Sequence, residues 1–231
     1  SADNLEAIFW GEAKFYMGNY HPLTMLSLAV DFQLSNTQKV DEDIEYKVTP
    51  AIFHLTNLLL HMATSVLVFF VLLRFLHFLQ YQKSGEVALL GAVLFGVHTM
   101  HVESVTWISE RKDVLYAAFF FGTILAYQHY LEKKRTSWLA VSMVLFLLSL
   151  LSKGQAVSLA LVLPGLDWVY RRKLKSGRLW LEKLPFFILA LLFGLIAVNA
   201  QEATEAIHKD EEFSLFERMI YASYGFTMYL A

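Results

Sequence analysis

The 231 residues are 56% hydrophobic and 15% aromatic against 17% charged, with a mean hydropathy of +0.45. That balance is too apolar for an ordinary soluble domain, and lipid is the expected solvent. The formal net charge of -2 comes with Lys and Arg that form no single stripe, which argues against a nucleic-acid partner, and the absence of cysteine removes disulfides, thiolate catalysis and Cys-type zinc sites.

The chain opens on Ser1 without a basic leader and cleavage site, and it stops at Ala231 inside an apolar run, so it reads as a fragment. Residues 1–49 read as a non-cytoplasmic loop. Within it, Asn4 to Lys14 and Thr24 to Leu34 have helical spacing of apolar residues and are joined by the turn Gly18-Asn19-Tyr20-His21-Pro22, a pattern that suits helices lying in the membrane interface. Asn36 to Glu45 is polar and acidic and reads as a flexible loop.

Residues 50–231 read as a transmembrane bundle. Apolar runs bounded by charge cover Pro50 to Leu79, a shorter Val87 to His98, Asp113 to Leu131, Ser137 to Leu151, Gln155 to Tyr170, Leu184 to Ala200 and a truncated Tyr221 to Ala231. At roughly 20 residues per crossing this gives about six full crossings and a partial seventh. Alternation of the runs places loops 80–86, 132–136 and 171–183 on one side, with Lys83, Lys133, Lys134, Arg135, Arg171, Arg172, Lys173, Lys175, Arg178 and Lys183; the positive-inside bias makes that side cytoplasmic. The other side receives residues 1–49, loop 99–112, the turn 152–154 and the acidic outer loop 201–217. Trp107, Trp138, Trp168 and Trp180 fall near run ends, as interfacial aromatics do. The fold class expected is all-α, a polytopic transmembrane helical bundle with interfacial helices in its first outer loop.

Chemistry concentrates at that outer side. His98 to Asp113 holds His98, His101, Glu103, Glu110, Arg111, Lys112 and Asp113 at the mouth of two spans. Ionisable residues at membrane depth are costly and mark binding or transfer paths, although a solvated loop whose cations reach lipid phosphates reads equally well from this stretch alone. Tyr20-His21 and Lys153-Gly154-Gln155 reach the same side, where together they offer cations for a phosphate and carboxylates to orient them or act as a base. The H-x-x-H-x-E spacing of His98, His101 and Glu103 matches no familiar metal site, so no metal is assigned. His54, Thr56, Asn57 and His61 form one polar helix face packing on neighbours, and Asp167 pairs locally with Arg171.

Tyr20-His21-Pro22-Leu23-Thr24, Phe53-His54-Leu55-Thr56-Asn57-Leu58-Leu59-Leu60-His61, His101-Val102-Glu103-Ser104-Val105-Thr106-Trp107-Ile108-Ser109-Glu110-Arg111-Lys112-Asp113, Ser152-Lys153 and Asp167-Trp168 occur in the order that resembles the transmembrane and tetratricopeptide-repeat O-mannosyltransferase family and its bacterial relatives. The resemblance implies the C-type glycosyltransferase (GT-C) fold and a polyprenyl-phosphate-linked sugar used from the non-cytoplasmic side. Against the family pattern, His21 stands in place of Arg, Thr99 in place of Pro and Gly154 in place of Glu. The family's acidic catalytic motif would precede Ser1 and its tetratricopeptide repeats would follow Ala231.

The function expected is therefore a membrane glycosyltransferase moving a sugar from a polyprenyl phosphate to an acceptor hydroxyl. Arg111, Lys112, Lys153 and His21 would bind the donor phosphate, with Tyr20, His98, His101, Asp113 and Gln155 in support; Glu103 is the one candidate catalytic carboxylate within the chain. The expected partners are membrane lipid, the polyprenyl-linked sugar and an acceptor protein or glycan, with no cofactor and no nucleic acid, in a bacterial inner membrane with the active face toward the periplasm or exterior. A transporter or lipid-binding membrane protein is the alternative; it would show internal repeats and mid-membrane polar residues, and neither is evident in the sequence.

Overall fold

A computed structural model describes residues 19–35, 38–39, 46–47, 49–203 and 214–230. The expected helix at Asn4 to Lys14 lies outside the described residues. Among the described residues, nine α-helices and one two-stranded ribbon follow in chain order: α1 (Pro22–Leu34), β1 (Gln38–Lys39), β2 (Tyr46–Lys47), α2 (Ala51–Phe78), α3 (Ser84–Val97), α4 (Val102–Thr106), α5 (Arg111–Lys133), α6 (Thr136–Ser152), α7 (Leu159–Val169), α8 (Gly177–Ala203) and α9 (Leu215–Leu230). The ribbon is antiparallel, pairing Gln38 with Lys47 and Lys39 with Tyr46. Of the polar stretch expected as a flexible loop, Gln38 and Lys39 are in a strand and the other residues from Asn36 to Glu45 lie outside the described residues.

Among the described residues, three helices are long and apolar enough to cross a bilayer: Ala51–Phe78, Ile108–Lys133 and Gly177–Glu202. At 1.5 Å per residue the first alone reaches about 42 Å, more than the roughly 30 Å hydrocarbon core. Ser84–Val97 and Thr99–Thr106 pass the same test only as a pair bent by 48°, which accounts for the short second run in the sequence, Val87 to His98. Thr136–Ser152 and Gly154–Val169 are shorter apolar helices. The molecule is an all-α polytopic bundle and an integral membrane protein.

Its polarity is inverted relative to a soluble domain. Leu58, Leu59, Met62, Val66, Leu89, Leu90, Val97, Leu161, Leu191 and Leu195 are exposed, whereas Asn57, Arg111, Thr123, Gln128, Ser142, Ser149, Asp167 and Lys183 are fully buried. Backbone and side-chain polar groups cannot be left to lipid, so they turn inward, where most find partners; Ser142 Oγ and Gln128 Oε1 are buried without one. The apolar core joins α5 to α8 through Tyr127, Phe146, Leu150, Leu159, Leu163 and Phe186. α2 and α3 approach closely at two glycines: a Cβ on Gly96 would meet Ser65 Oγ at 3.2 Å, and one on Gly91 would meet Leu72 Cδ1 at 2.7 Å.

Side-chain contacts fix which loops share an end. At one end Phe78 stacks on Tyr170 at 4.2 Å, Arg74 pairs with Glu132 at 2.9 Å, and Tyr127 donates to Asp167. The turns after α2, α5 and α7 meet there, each through a residue in the left-handed region: Gln80 (φ 56°), Lys134 (φ 56°) and Arg171 (φ 55°). At the other end α1 docks on the bundle, Thr24 donating to the Ser152 carbonyl at 3.0 Å. α1 turns Pro22, Thr24 and Asp31 inward and leaves Val30, Phe32 and Leu34 exposed.

Candidate functional site

Among the described residues, two of the cavities at the α1 end flank an ion pair. The first, of about 350 Å³, is lined by Tyr20, His21, Lys112, Lys153 and Gln155 against the α8 wall at Phe193, Gly194 and Ala197. Local structure explains the convergence. Pro22 starts α1 and leaves Tyr20 and His21 in the turn before it; Lys112 lies in the first turn of α5; and α6 ends at Ser152, after which Lys153 is extended and residues Gly154–Ser158 form a 3-10 turn. Gly154 matters because a Cβ there would come within 3.2 Å of Ala197. Its missing side chain lets the turn press on α8.

Lys153 and Asp113 form the ion pair between the cavities, and the Ser104 hydroxyl donates to the second Asp113 oxygen at 3.2 Å. Both side chains of the pair are about a fifth to a quarter exposed (19% and 24%). Lys153 also lies over the Tyr116 ring at 5.7 Å. Lys112 contacts Glu110 at 3.0 Å. His21 is buried, and that burial, reinforced by the positive charge of Lys112, lowers its pKa below the ordinary imidazole value. Burial raises the pKa of the Tyr20 phenol.

The second cavity, of about 320 Å³, is lined by His61, His101, Ser104, Asp113 and Tyr116 and by the rings of Phe95, Phe120 and Phe121. His101 contacts Phe95 and His61, with ring centroids 4.5 and 5.4 Å away. His98 is exposed and accepts the Met100 N–H at 3.2 Å as a local cap. Glu103 is exposed and lines neither cavity.

Arg111 is held apart from both. Its guanidinium is fully buried, with Nε donating to Asn57 Oδ1, Nη1 to Ser27 Oγ at 2.8 Å, and Nη2 to Asp31 Oδ2 at 2.5 Å and to the Phe53 carbonyl at 2.9 Å. Asn57 in turn donates to the Val105 and Trp107 carbonyls at 3.2 and 3.1 Å, and Asp31 Oδ1 accepts from Thr56 at 3.0 Å. Arg111 thus ties α1, α2 and α5 together, and through Asn57 it fixes the loop that carries Ser104. A buried guanidinium so engaged has no face to offer an incoming phosphate. Asp31 escapes attention in the sequence, where Asn57 is read only as part of a polar helix face; the available signal is a lone carboxylate in an apolar helix, which needs a cation somewhere.

On α2 the buried polar face is Asn57, His61 and Thr64, whereas His54, expected among them, is exposed. At the opposite end of the bundle Asp167 does not pair with Arg171. It binds Arg172 at 2.9 Å and the fully buried Lys183 at 2.7 Å, with Tyr127 donating to it and Glu182 holding Arg172 at 2.8 Å. Arg171 takes the left-handed conformation that ends α7 and points out to solvent. A fully buried carboxylate recruits the cations that can follow it inside.

The chain is similar to protein O-mannosyl-transferase TMTC4 of Homo sapiens, 30% identical over 167 residues that cover 65% of this chain and 21% of the relative. Protein O-mannosyl-transferase TMTC3 of Homo sapiens is 27% identical over 176 residues (73% of this chain, 17% of the relative), and tmtc2 of Xenopus laevis is 29% identical over 209 residues (84% and 23%). The matched segment is about a fifth of the length of these relatives. No family model matches the sequence, and no solved structure matches the fold. In sequence the chain is therefore similar to proteins named protein O-mannosyl-transferases, over 65% to 84% of its own length.

Proposed function

We propose that this bundle is the membrane-embedded part of a glycosyltransferase that takes a mannosyl group from a polyprenyl phosphate and passes it to a protein hydroxyl. What carries the proposal is the cation-lined cavity: His21, Lys112 and Lys153 meet around about 350 Å³ at the end of the bundle opposite the basic loops. The sugar and the protein acceptor follow the names of the relatives. The positive-inside bias puts the cavity on the non-cytoplasmic side, which is the periplasmic face if the membrane is a bacterial inner membrane.

In this reading the acceptor hydroxyl gives its proton to a carboxylate base while its oxygen attacks the anomeric carbon, the bond from that carbon to the phosphate oxygen breaks, and the lipid phosphate leaves with the electron pair. Lys112 and Lys153 stabilise the charge that develops on it. Neutral His21 adds a hydrogen bond but no charge. Asp113 and Glu110 hold the two ammonium groups in place, and Arg111 acts as the joint that fixes α1 against α5. Arg111 therefore leaves the set of phosphate ligands, and Glu103 and His98 stand outside it.

The test is transfer of labelled mannose from polyprenyl-phosphate mannose by the full-length protein in liposomes. Lys153→Gln should lower turnover about a hundredfold, the scale of losing one preorganised charge at a leaving group. Transfer unchanged in this variant would remove the cavity from the reaction. Label crossing the bilayer without reaching protein would favour a transporter instead.

A further inference from the structure

A separate cavity of about 420 Å³ lies at the opposite end, between the last turns of α2 and α5, lined by Phe70, Leu73, Arg74, His77, Leu125 and His129. Half of its wall is apolar and belongs to bilayer-crossing helices; the other half carries one guanidinium and two imidazoles. Arg74 gives Nη2 to Glu132 at 2.9 Å, while its Nε is buried with no acceptor. His129 Nδ1 lies 2.9 Å from the Leu125 carbonyl, so the proton sits on Nδ1 and Nε2 stays open; the ring stacks on Trp138 at 4.5 Å. His77 is exposed. Glu132 pairs with Arg74, and the exposed Lys133, Lys134 and Arg135 follow directly in the chain.

We infer that this cavity seats the phosphate headgroup of an anionic phospholipid from the leaflet at the basic end. Arg74 and His77 face the phosphate, and the acyl chains run along Phe70, Leu73 and Leu125. A basic pocket between helices at the cytoplasmic interface is the form such sites take, and a tryptophan beside it marks headgroup depth. A freely soluble anion has no use for the apolar half of the wall. The site is independent of the sugar-transfer reading, since it lies at the far end of α2 and α5 from the Lys112 and Lys153 cavity.

The experiment is native mass spectrometry of the full-length protein in detergent, titrated with dioleoyl phosphatidylglycerol, dioleoyl phosphatidylcholine or inorganic phosphate. The wild type should retain phosphatidylglycerol about tenfold better than phosphatidylcholine, a margin expected when a specific cationic pocket adds to the general surface field. Arg74→Gln should erase that preference. His77→Gln, at an exposed position where folding is not at stake, should reduce it severalfold. A Lys133→Gln, Lys134→Gln double variant should keep most of it. The inference is overturned if wild type shows no preference, if the preference survives both cavity variants, or if only the lysine variant loses it. It is equally overturned if millimolar inorganic phosphate displaces the lipid, which would make the site one for a free anion.

Discussion

Arg111 and Lys112 are neighbours in the chain with opposite fates, and the difference is testable. Arg111 is fully buried and saturated by α1 and α2, while Lys112 is about one fifth exposed at a cavity wall. Arg111→Ala strands Asp31 and should cost roughly 3–5 kcal/mol of stability, whereas Arg111→Met combined with Asp31→Leu should recover much of the loss. Lys112→Gln should leave the thermal midpoint nearly unchanged, by less than about 1 kcal/mol, and still slow transfer. Thermal unfolding in detergent separates the two; an Arg111→Ala protein as stable as wild type but inactive would return Arg111 to the phosphate. His21 makes a pH prediction. Its folded pKa is depressed while the unfolded value stays near about 6.5, so the unfolded state binds more protons below that pH. Its contribution is complete above about pH 6.5 and is lost as the pH falls toward the lower folded value. His21→Gln should flatten that part of the stability profile, and an identical acid slope in the variant would show that His21 is not the group responsible. Residue types and their shared end were legible in the sequence, because charge is rare in such a chain. The direction of Arg111 was not, since its partners lie 54 to 84 positions away in the chain.

At the scale of elements, the long runs announced themselves: Pro50 to Leu79 became Ala51–Phe78, and Ser137 to Leu151 became Thr136–Ser152. The run from Val87 gave a less complete signal, because the pair bends by 48° and only its two halves together have the length of a span. Asp167 was misassigned to Arg171 for a related reason: helical spacing describes neighbours on an exposed face, and a buried carboxylate instead drew Lys183 from α8. Asp167→Asn should therefore destabilise the α5, α7 and α8 packing by roughly 3–5 kcal/mol, by leaving Lys183 buried without its counter-charge. The close approach of α2 and α3 is equally exposed to test. Gly96→Leu would drive its side chain into Ser65 and should cost roughly 1–3 kcal/mol of overpacking, seen as a lower unfolding midpoint. A midpoint at or above wild type would mean that the two helices can part there without loss.

Over the whole molecule the bundle separates two chemistries by the thickness of a membrane. One end gathers His21, Lys112 and Lys153 around a cavity, and the other gathers the basic turns and the Asp167 network. This polarity could be read from loop charges alone, because alternation of crossings needs no side-chain detail. The division of the first end into two cavities by Lys153 and Asp113 needed the three-dimensional packing of α5 against the α6 turn. The most direct measurement exploits the absence of cysteine from this sequence. Gln155→Cys at the cavity mouth and Lys134→Cys in the opposite turn are each exposed to a membrane-impermeant maleimide added outside intact cells, with and without polyprenyl phosphate. Gln155→Cys should label from outside and be protected by the lipid phosphate, and Lys134→Cys should label only after permeabilisation. Labelling of Lys134→Cys from outside, or of Gln155→Cys without any protection by the lipid phosphate, would contradict the account.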